Sequence, residues 1–132
     1  MATLIITTGT QKGNFYPLGK RTTVVGRDEG LLIQVLDSKV SRKHMQIRFD
    51  KENDAYYISD MASKHGVFVN NQRITEQQEL NGQDFITIGE TDMLFTLKDF
   101  EDKESALNHY KKVGERRKDT YETSNRNGFE IS

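Results

Sequence analysis

The chain has 132 residues, of which 34% are hydrophobic and 30% are charged, with a formal net charge of −1 and no cysteine. This length suits one domain that buries a core without disulfide support. The near-zero net charge is atypical of domains that hold nucleic acid through their overall field. No apolar run could span a bilayer, and the start, MATLIITTGTQKG, lacks the pattern of an export signal. We therefore expect a cytoplasmic protein without a membrane segment.

Charge is distributed unevenly along the chain. From Lys20 to Lys51, eight Lys and Arg residues accompany four Asp and Glu residues, a local charge of +4. From Glu52 to Lys98, three basic residues accompany eight acidic ones, a local charge of −5. A basic segment inside a neutral protein suggests a small anionic target, although such an imbalance also arises by chance.

Short runs rich in Val, Ile, Thr, Phe and Tyr are separated by Gly, Asn and Asp, which is typical of an all-β domain. Nine strands are predicted: Thr3–Thr8, Asn14–Leu18, Thr22–Val25, Ile33–Val35, His44–Phe49, Ala55–Asp60, Val67–Val69, Phe85–Ile88 and Asp92–Leu97. Several are too short to be stable alone, so two packed sheets are expected.

Alternation and turn signals support this β-sandwich. Met45, Ile47 and Phe49 alternate with polar residues, which predicts that one face of their strand is buried. The segment NNQRI at residues 70–74 predicts a hairpin turn, and LNGQD at residues 80–84 carries an Asn-Gly turn signal.

The pattern of apolar residues changes from strand-like to helical in the C-terminal part of the chain. The segment DFEDKESALNHYKKVGERRK, residues 99–118, predicts an amphipathic helix that packs against the sandwich or against another protein. The apolar residues that recur there at helical spacing are Ala106, Tyr110 and Val113. Asp99 or Asp102 can cap the start of the helix. Residues 119–132 are polar and are expected to form a disordered tail.

Three loops carry side chains suited to an anion: GR at residues 26–27, SRKH at residues 41–44 and SKHGVFVNN at residues 63–71. Loops at one end of a sandwich can meet around one ligand. If these loops meet, Arg27 supplies a planar fork of N–H donors and Ser41 supplies a hydroxyl. Either Arg42 or Lys64 supplies a further positive charge. This combination fits a phosphate dianion. Taken singly, each residue also has an ordinary structural explanation.

In chain order, VVGRDEG, LIQVLDSKVSRKHMQIRF, YYISDMASKHGVFVNNQRI and ELNGQDFITIG resemble the forkhead-associated (FHA) domain, a phosphothreonine-binding β-sandwich. The resemblance covers roughly Thr3 to Leu97 and implies an FHA domain over residues 1–98. It implies that the phosphopeptide is bound by Arg27, Ser41, Arg42, Ser63, Lys64 and His65. It also implies that the loops are held in shape by Gly26, His44, Gly66 and Asn70.

Two positions depart from the family's pattern. His65 replaces the usual Asn that bonds the peptide backbone, and Val67 replaces the usual Thr. An imidazole can donate or accept one hydrogen bond, but it lacks the amide's combined donor and acceptor. We therefore expect altered peptide affinity or residue preference.

The leading hypothesis is a non-catalytic reader without a cofactor, which binds a phosphothreonine-containing kinase or kinase substrate and neither nucleic acid nor membrane. The alternative is a phosphate-independent scaffold that uses a sheet face or the C-terminal helix. An enzyme with Ser41 as nucleophile and His44 as base is disfavoured, because no Gly-x-Ser-x-Gly elbow is present. The dispersed histidines indicate no metal site, since they lie at His44, His65 and His109.

The tail offers one more hypothesis. Thr120 and Thr123 stand beside the acidic residues Asp119 and Glu122. If either threonine is phosphorylated, the tail could bind the protein's own pocket or a second copy, because a tethered ligand has a high effective concentration.

Overall fold

The computed structural model describes residues 2–98 and 104–113 of the chain. Within these residues, eleven strands follow one another: β1 Thr3–Ile6, β2 Phe15–Pro17, β3 Thr22–Gly26, β4 Ile33–Gln34, β5 Met45–Asp50, β6 Ala55–Asp60, β7 Val67–Val69, β8 Gln72–Arg73, β9 Gln78–Leu80, β10 Asp84–Ile88 and β11 Thr91–Thr96. The described helix, α1, covers residues 104–113.

The strands form two sheets that pack face to face. The six-stranded sheet has the order β2-β1-β11-β10-β7-β8, and the five-stranded sheet has the order β4-β3-β5-β6-β9. Strands β3 and β4 pair in parallel, whereas the other pairs are antiparallel. The chain crosses between the sheets after β2, β6, β8 and β9. The predicted two-sheet all-β sandwich with a C-terminal helix is confirmed.

Alternation places one side of each long strand in the space between the sheets. In β5, Met45 and Ile47 are buried, and Phe49 is partly buried against the same core. Other strands of both sheets contribute fully buried residues to this cluster, including Leu4, Ile58, Ile86, Met93 and Phe95. Each fully buried large aliphatic side chain contributes about 1.5–3 kcal/mol, so this core is the rigid base from which the loops emerge.

The nine predicted strands are present, and β6 and β7 have the predicted ends. The prediction missed β8 and β9, which are two and three residues long. The predicted hairpin turn joins β7 to β8, where Asn70 and Asn71 adopt φ values of 52° and 70°. Two consecutive left-handed residues are the geometry of a type I′ hairpin, which Asn tolerates.

The turn at residues 81–84 has a different role from a hairpin. It connects β9 of one sheet to β10 of the other. The Asp84 N–H donates to the Asn81 carbonyl over 3.1 Å, and the residue with positive φ is Gln83, at 73°. A positive φ at the third residue is the pattern of a type II turn. In this turn the third residue is Gln83, which follows Gly82.

The helix α1 covers the outer face of the six-stranded sheet. Ala106 and Val113 are buried against Ile5 and Leu94, with partly buried aromatic residues around them. The described part of the helix therefore packs against its own domain. The remainder of the predicted helix, the cap at Asp99 or Asp102 and the tail with its threonines lie outside the described residues. No helix within the described ranges is long and apolar enough to cross a membrane.

Candidate functional site

Three loops leave the strands at one end of the sandwich: the β3–β4 loop, the β4–β5 loop and the β6–β7 loop. Val25, at the end of β3, is paired with Met45 at the start of β5, and Met45 is paired with Asp60 at the end of β6. Antiparallel pairing thus places the three loops side by side. We call this cluster of residues 27–32, 35–44 and 61–66 the loop end.

The first part of the site is the junction between β3 and the β4–β5 loop. The Arg27 N–H donates to the Ser41 carbonyl over 3.0 Å, and the Arg27 Nε donates to the Val40 carbonyl over 2.9 Å. A Cβ atom on Gly26 would lie 2.1 Å from the Arg42 carbonyl oxygen, so only glycine permits this approach. The guanidinium is therefore anchored through Nε, and Arg27 is exposed to solvent.

The Ser41 hydroxyl lies beside the β6–β7 loop. Its Oγ accepts a hydrogen bond from the Lys64 N–H over 3.0 Å. Because the oxygen acts as the acceptor in this bond, the hydroxyl proton remains a donor for a ligand. Lys64 is itself exposed, and its backbone N–H is the group that contacts the hydroxyl.

His44 joins two loops from beneath the site. Its side chain is fully buried; Nδ1 accepts the Ser41 N–H over 2.9 Å, and Nε2 lies 2.7 Å from the Gly66 carbonyl oxygen. This pair of partners requires the neutral tautomer with hydrogen on Nε2. The imidazole thus contacts the backbone of Ser41 rather than its hydroxyl, an arrangement that does not fit a Ser-His nucleophile and base.

Ser63 acts within its own loop. Its N–H donates to the Asp60 Oδ1 over 3.1 Å, and its Oγ accepts the Gly66 N–H over 2.9 Å. Gly66 has a φ of 88°, and a Cβ atom there would lie 2.6 Å from the Arg73 Nε. These contacts close the β6–β7 loop into a tight turn that presents Lys64 and His65 to solvent.

The cation of Arg42 is partly neutralised. Its side chain is 75% exposed, and its Nη2 lies 3.6 Å from the Asp28 Oδ2. The hydrogen bond from the Gly30 N–H lowers the pKa of Asp28. Desolvation opposes this change, and the positive charges of Arg42 and Lys43 lower the pKa further. An exposed pair at this distance is weak, so a dianion could displace Asp28 from Arg42.

Asn70 lies away from the loop end, at the opposite end of β7. Its N–H donates to the Phe85 carbonyl over 2.7 Å, and its side chain bonds the Asp84 carboxylate and the Phe85 N–H over 2.9 and 3.0 Å. These bonds fix the β7–β8 turn against β10. Asn70 is therefore separate from the cluster that contains the other predicted site residues.

Two glutamines that the sequence analysis missed support the Arg27 loop. The Gln34 Nε2 donates to the Arg27 carbonyl over 3.2 Å. The Gln11 side chain donates to the Gln34 carbonyl and accepts the Leu36 N–H, both over 2.8 Å. The Gln11 carboxamide thus makes, at the edge of β4, the two hydrogen bonds that the backbone of a neighbouring strand would otherwise make. The partners lie 23 and 25 residues apart, so no local signal indicated these bonds.

The sequence profile of the FHA domain matches residues 23–89, a segment that includes all three loops. The chain belongs to the FHA domain family. FHA domains are binding modules for phosphothreonine in phosphorylation-dependent interactions. This membership confirms the resemblance found in the sequence.

Two relatives match this chain over most of its length. The FHA domain-containing protein FhaA of Mycobacterium tuberculosis is 30% identical over 82 residues, or 62% of this chain and 15% of that protein. The oxoglutarate dehydrogenase inhibitor of Corynebacterium jeikeium is 32% identical over 94 residues, or 71% of this chain and 63% of that protein. The chain thus spans less than two thirds of either relative.

Among solved structures, EmbR of Mycobacterium tuberculosis, in complex with a low-affinity phosphopeptide, superimposes with a TM-score of 0.66. The two chains are 30% identical, and the similarity covers 76% of this FHA domain and 25% of the EmbR chain.

Proposed function

We propose that this FHA domain binds phosphothreonine peptides at the loop end, through Arg27, Ser41 and Lys64. The observation that carries the proposal is the anchoring of Arg27, whose Nε donates to the Val40 carbonyl and whose N–H donates to the carbonyl of Ser41, the residue whose hydroxyl accepts the Lys64 N–H. In this proposal a guanidinium, a hydroxyl donor and an ammonium group face the same ligand. A phosphate dianion matches this set, because it offers several strong acceptors and a double charge.

The residues around this centre have secondary roles in the proposal. Arg42 gains the phosphate as a partner when it leaves Asp28, whereas Ser63 shapes the loop that carries Lys64 and His65. His65 is exposed where a peptide backbone would pass, and it offers a single hydrogen bond to it. His44 and the two glycines, Gly26 and Gly66, hold the loops in place.

The expected selectivity follows from the number of charge-assisted bonds. Each such bond contributes about 1.5–3 kcal/mol, and the exposed position favours the lower end of this range because water competes. Two bonds at about 1.5 kcal/mol correspond to roughly a hundredfold preference for the phosphorylated peptide.

We infer that the protein is a reader and not an enzyme. Support comes from His44, whose two ring nitrogens are bonded to the backbones of Ser41 and Gly66, so it is not placed to deprotonate the Ser41 hydroxyl. The partner we propose is a cytoplasmic protein that carries phosphothreonine, either a kinase or a kinase substrate. Cytoplasmic action is proposed because the kinases that make phosphothreonine require ATP.

The test is a fluorescence anisotropy titration of a phosphothreonine peptide library and of its unphosphorylated twins. We expect tight binding of phosphorylated members only, and at least tenfold weaker binding by Arg27→Ala. Arg48→Ala is the matched control, because Arg48 lies on β5 against the Tyr57 ring, away from the loop end. It is expected to bind within twofold of the wild type.

Equal binding to the two peptide sets would contradict the proposal and support a phosphate-independent scaffold. Equal losses in Arg27→Ala and Arg48→Ala would contradict the assignment of Arg27, because they would indicate a general effect of lost positive charge.

A further inference from the structure

Asp37, in the β4–β5 loop, forms a junction between two loops. Its Oδ1 accepts the Lys39 N–H over 2.9 Å. Its Oδ2 accepts the Glu90 N–H over 2.7 Å and the Thr91 hydroxyl over 2.8 Å. One carboxylate thus shapes its own loop and ties that loop to the turn between β10 and β11, in the other sheet.

The β10–β11 turn approaches this carboxylate unusually closely. Gly89 has a φ of 59°, and a Cβ atom there would lie 2.8 Å from the Asp37 Oδ2 and 3.0 Å from the Val40 Cγ2. A larger residue would have to push the turn away from Asp37 and Val40. The close contact therefore depends on glycine at position 89 as well as on the carboxylate.

A short path of bonds leads from this junction to the candidate phosphate contacts. The Asp37 carbonyl accepts the Val40 N–H over 2.9 Å. The Val40 carbonyl, in turn, accepts the Arg27 Nε over 2.9 Å, and Ser41 is the next residue in the chain. The position of the Val40 peptide therefore sets the position of the Arg27 Nε that donates to its carbonyl.

The charge of Asp37 strengthens the junction. Partial burial acts to raise the pKa of this carboxyl, but the N–H groups of Lys39 and Glu90 and the Thr91 hydroxyl outweigh it and lower the pKa below its ordinary value. The group is therefore ionised at neutral pH. Its three hydrogen bonds are charge-assisted, and such bonds are shorter and stronger than neutral ones.

We propose that Asp37 is a positioning residue for phosphopeptide binding, because its carboxylate fixes the Val40 peptide that holds Arg27 beside Ser41. The proposal rests on the phosphopeptide function proposed above. Donors that are already fixed lose less entropy when the ligand binds, so a loosened junction weakens binding even when the donors themselves remain.

The first variant is Asp37→Asn, which keeps the size of the side chain. The amide nitrogen of asparagine cannot accept a hydrogen bond, so at least one of the three donors that bond the Asp37 carboxylate loses its partner. We expect five- to tenfold weaker binding of a phosphothreonine peptide, measured by anisotropy at a temperature where circular dichroism shows each variant folded. Thr91→Val removes one bond only and should weaken binding about twofold.

The matched control is Asp50→Asn. Asp50 accepts the Glu52 N–H over 3.0 Å and the Asn53 Nδ2 over 2.7 Å in the β5–β6 turn, away from the loop end. This variant also removes a hydrogen-bonded aspartate charge, but it should bind the phosphopeptide within twofold of the wild type.

A double-mutant cycle separates positioning from general stability. If Asp37 acts by placing Arg27, then Asp37→Asn should weaken binding less than twofold in an Arg27→Ala background. The same fold-loss in both backgrounds would overturn the positioning role, because it would show that Asp37 acts independently of Arg27.

The two proposals fail in different ways. A wild type that prefers phosphopeptide, together with an Asp37→Asn variant of equal affinity, would overturn the positioning role alone. A wild type that binds phosphorylated and unphosphorylated peptides equally would overturn both proposals.

Discussion

His44→Ala is the sharpest test of how the loops are held together. His44 is fully buried, and its imidazole bonds the Ser41 N–H at 2.9 Å and the Gly66 carbonyl oxygen at 2.7 Å. Alanine leaves both backbone groups without this partner, at about 1–3 kcal/mol each, and opens a cavity. Water that enters the space compensates in part. We therefore expect a loss of about 3–5 kcal/mol in the free energy of unfolding, a large share of the 5–15 kcal/mol typical of a domain.

The assay is urea unfolding at neutral pH, followed by circular dichroism and tyrosine fluorescence. His44→Asn serves as the control, because its amide can place an acceptor near the position of Nδ1, where it receives the Ser41 N–H. It should lose clearly less stability than His44→Ala, with an unchanged m-value. A loss below about 1 kcal/mol in His44→Ala would show that His44 does not hold the two loops together, because unsatisfied buried groups cost more than this.

Three further predictions address acid stability, the helix and the departure from the family pattern. Because the native pKa of Asp37 lies below its ordinary value of 3.8, its ionised form stabilises the fold above about pH 4, and this contribution is lost as pH falls through the native pKa. Urea unfolding from pH 5 to pH 3 should therefore show a steeper loss in the wild type than in Asp37→Asn. Val113→Asp should lower stability by about 1.5–3 kcal/mol in thermal unfolding and expose Ile5 and Leu94 to a hydrophobic dye, because it places a charge in their cluster. His65→Asn should tighten phosphopeptide binding severalfold in anisotropy titrations, because the amide both donates and accepts a hydrogen bond; unchanged affinity would show that residue 65 does not contact the peptide.

Strands with a buried face were predictable from the sequence. The ends of β6 and β7 match the prediction, because buried residues alternate with less buried ones in both. The short edge strands β8 and β9 were missed for the opposite reason. Gln72, Arg73, Gln78 and Glu79 are exposed, so no apolar alternation marks these segments. Their strand geometry comes from pairing with β7 and β6, which local sequence does not encode.

The motifs indicated which loops to examine, but not how the loops are joined. The bond from the Lys64 N–H to the Ser41 hydroxyl connects residues 23 positions apart, and Lys64 lies in the loop that crosses from one sheet to the other. Asp37 was overlooked because an aspartate at a turn usually bonds only its own loop, as Asp37 does with Lys39. Its bonds to Glu90 and Thr91 depend on the packing of the two sheets.

The most direct test of phosphothreonine recognition at the loop end is amide chemical-shift mapping by NMR, with a phosphothreonine peptide selected from the library. We expect the largest shifts at Arg27, Ser41 and Lys64 and their neighbours in the three loops, and little change with the unphosphorylated twin at the same concentration. Shifts confined to α1 and the outer face of the six-stranded sheet would contradict it, because recognition would then lie on a surface without these donors.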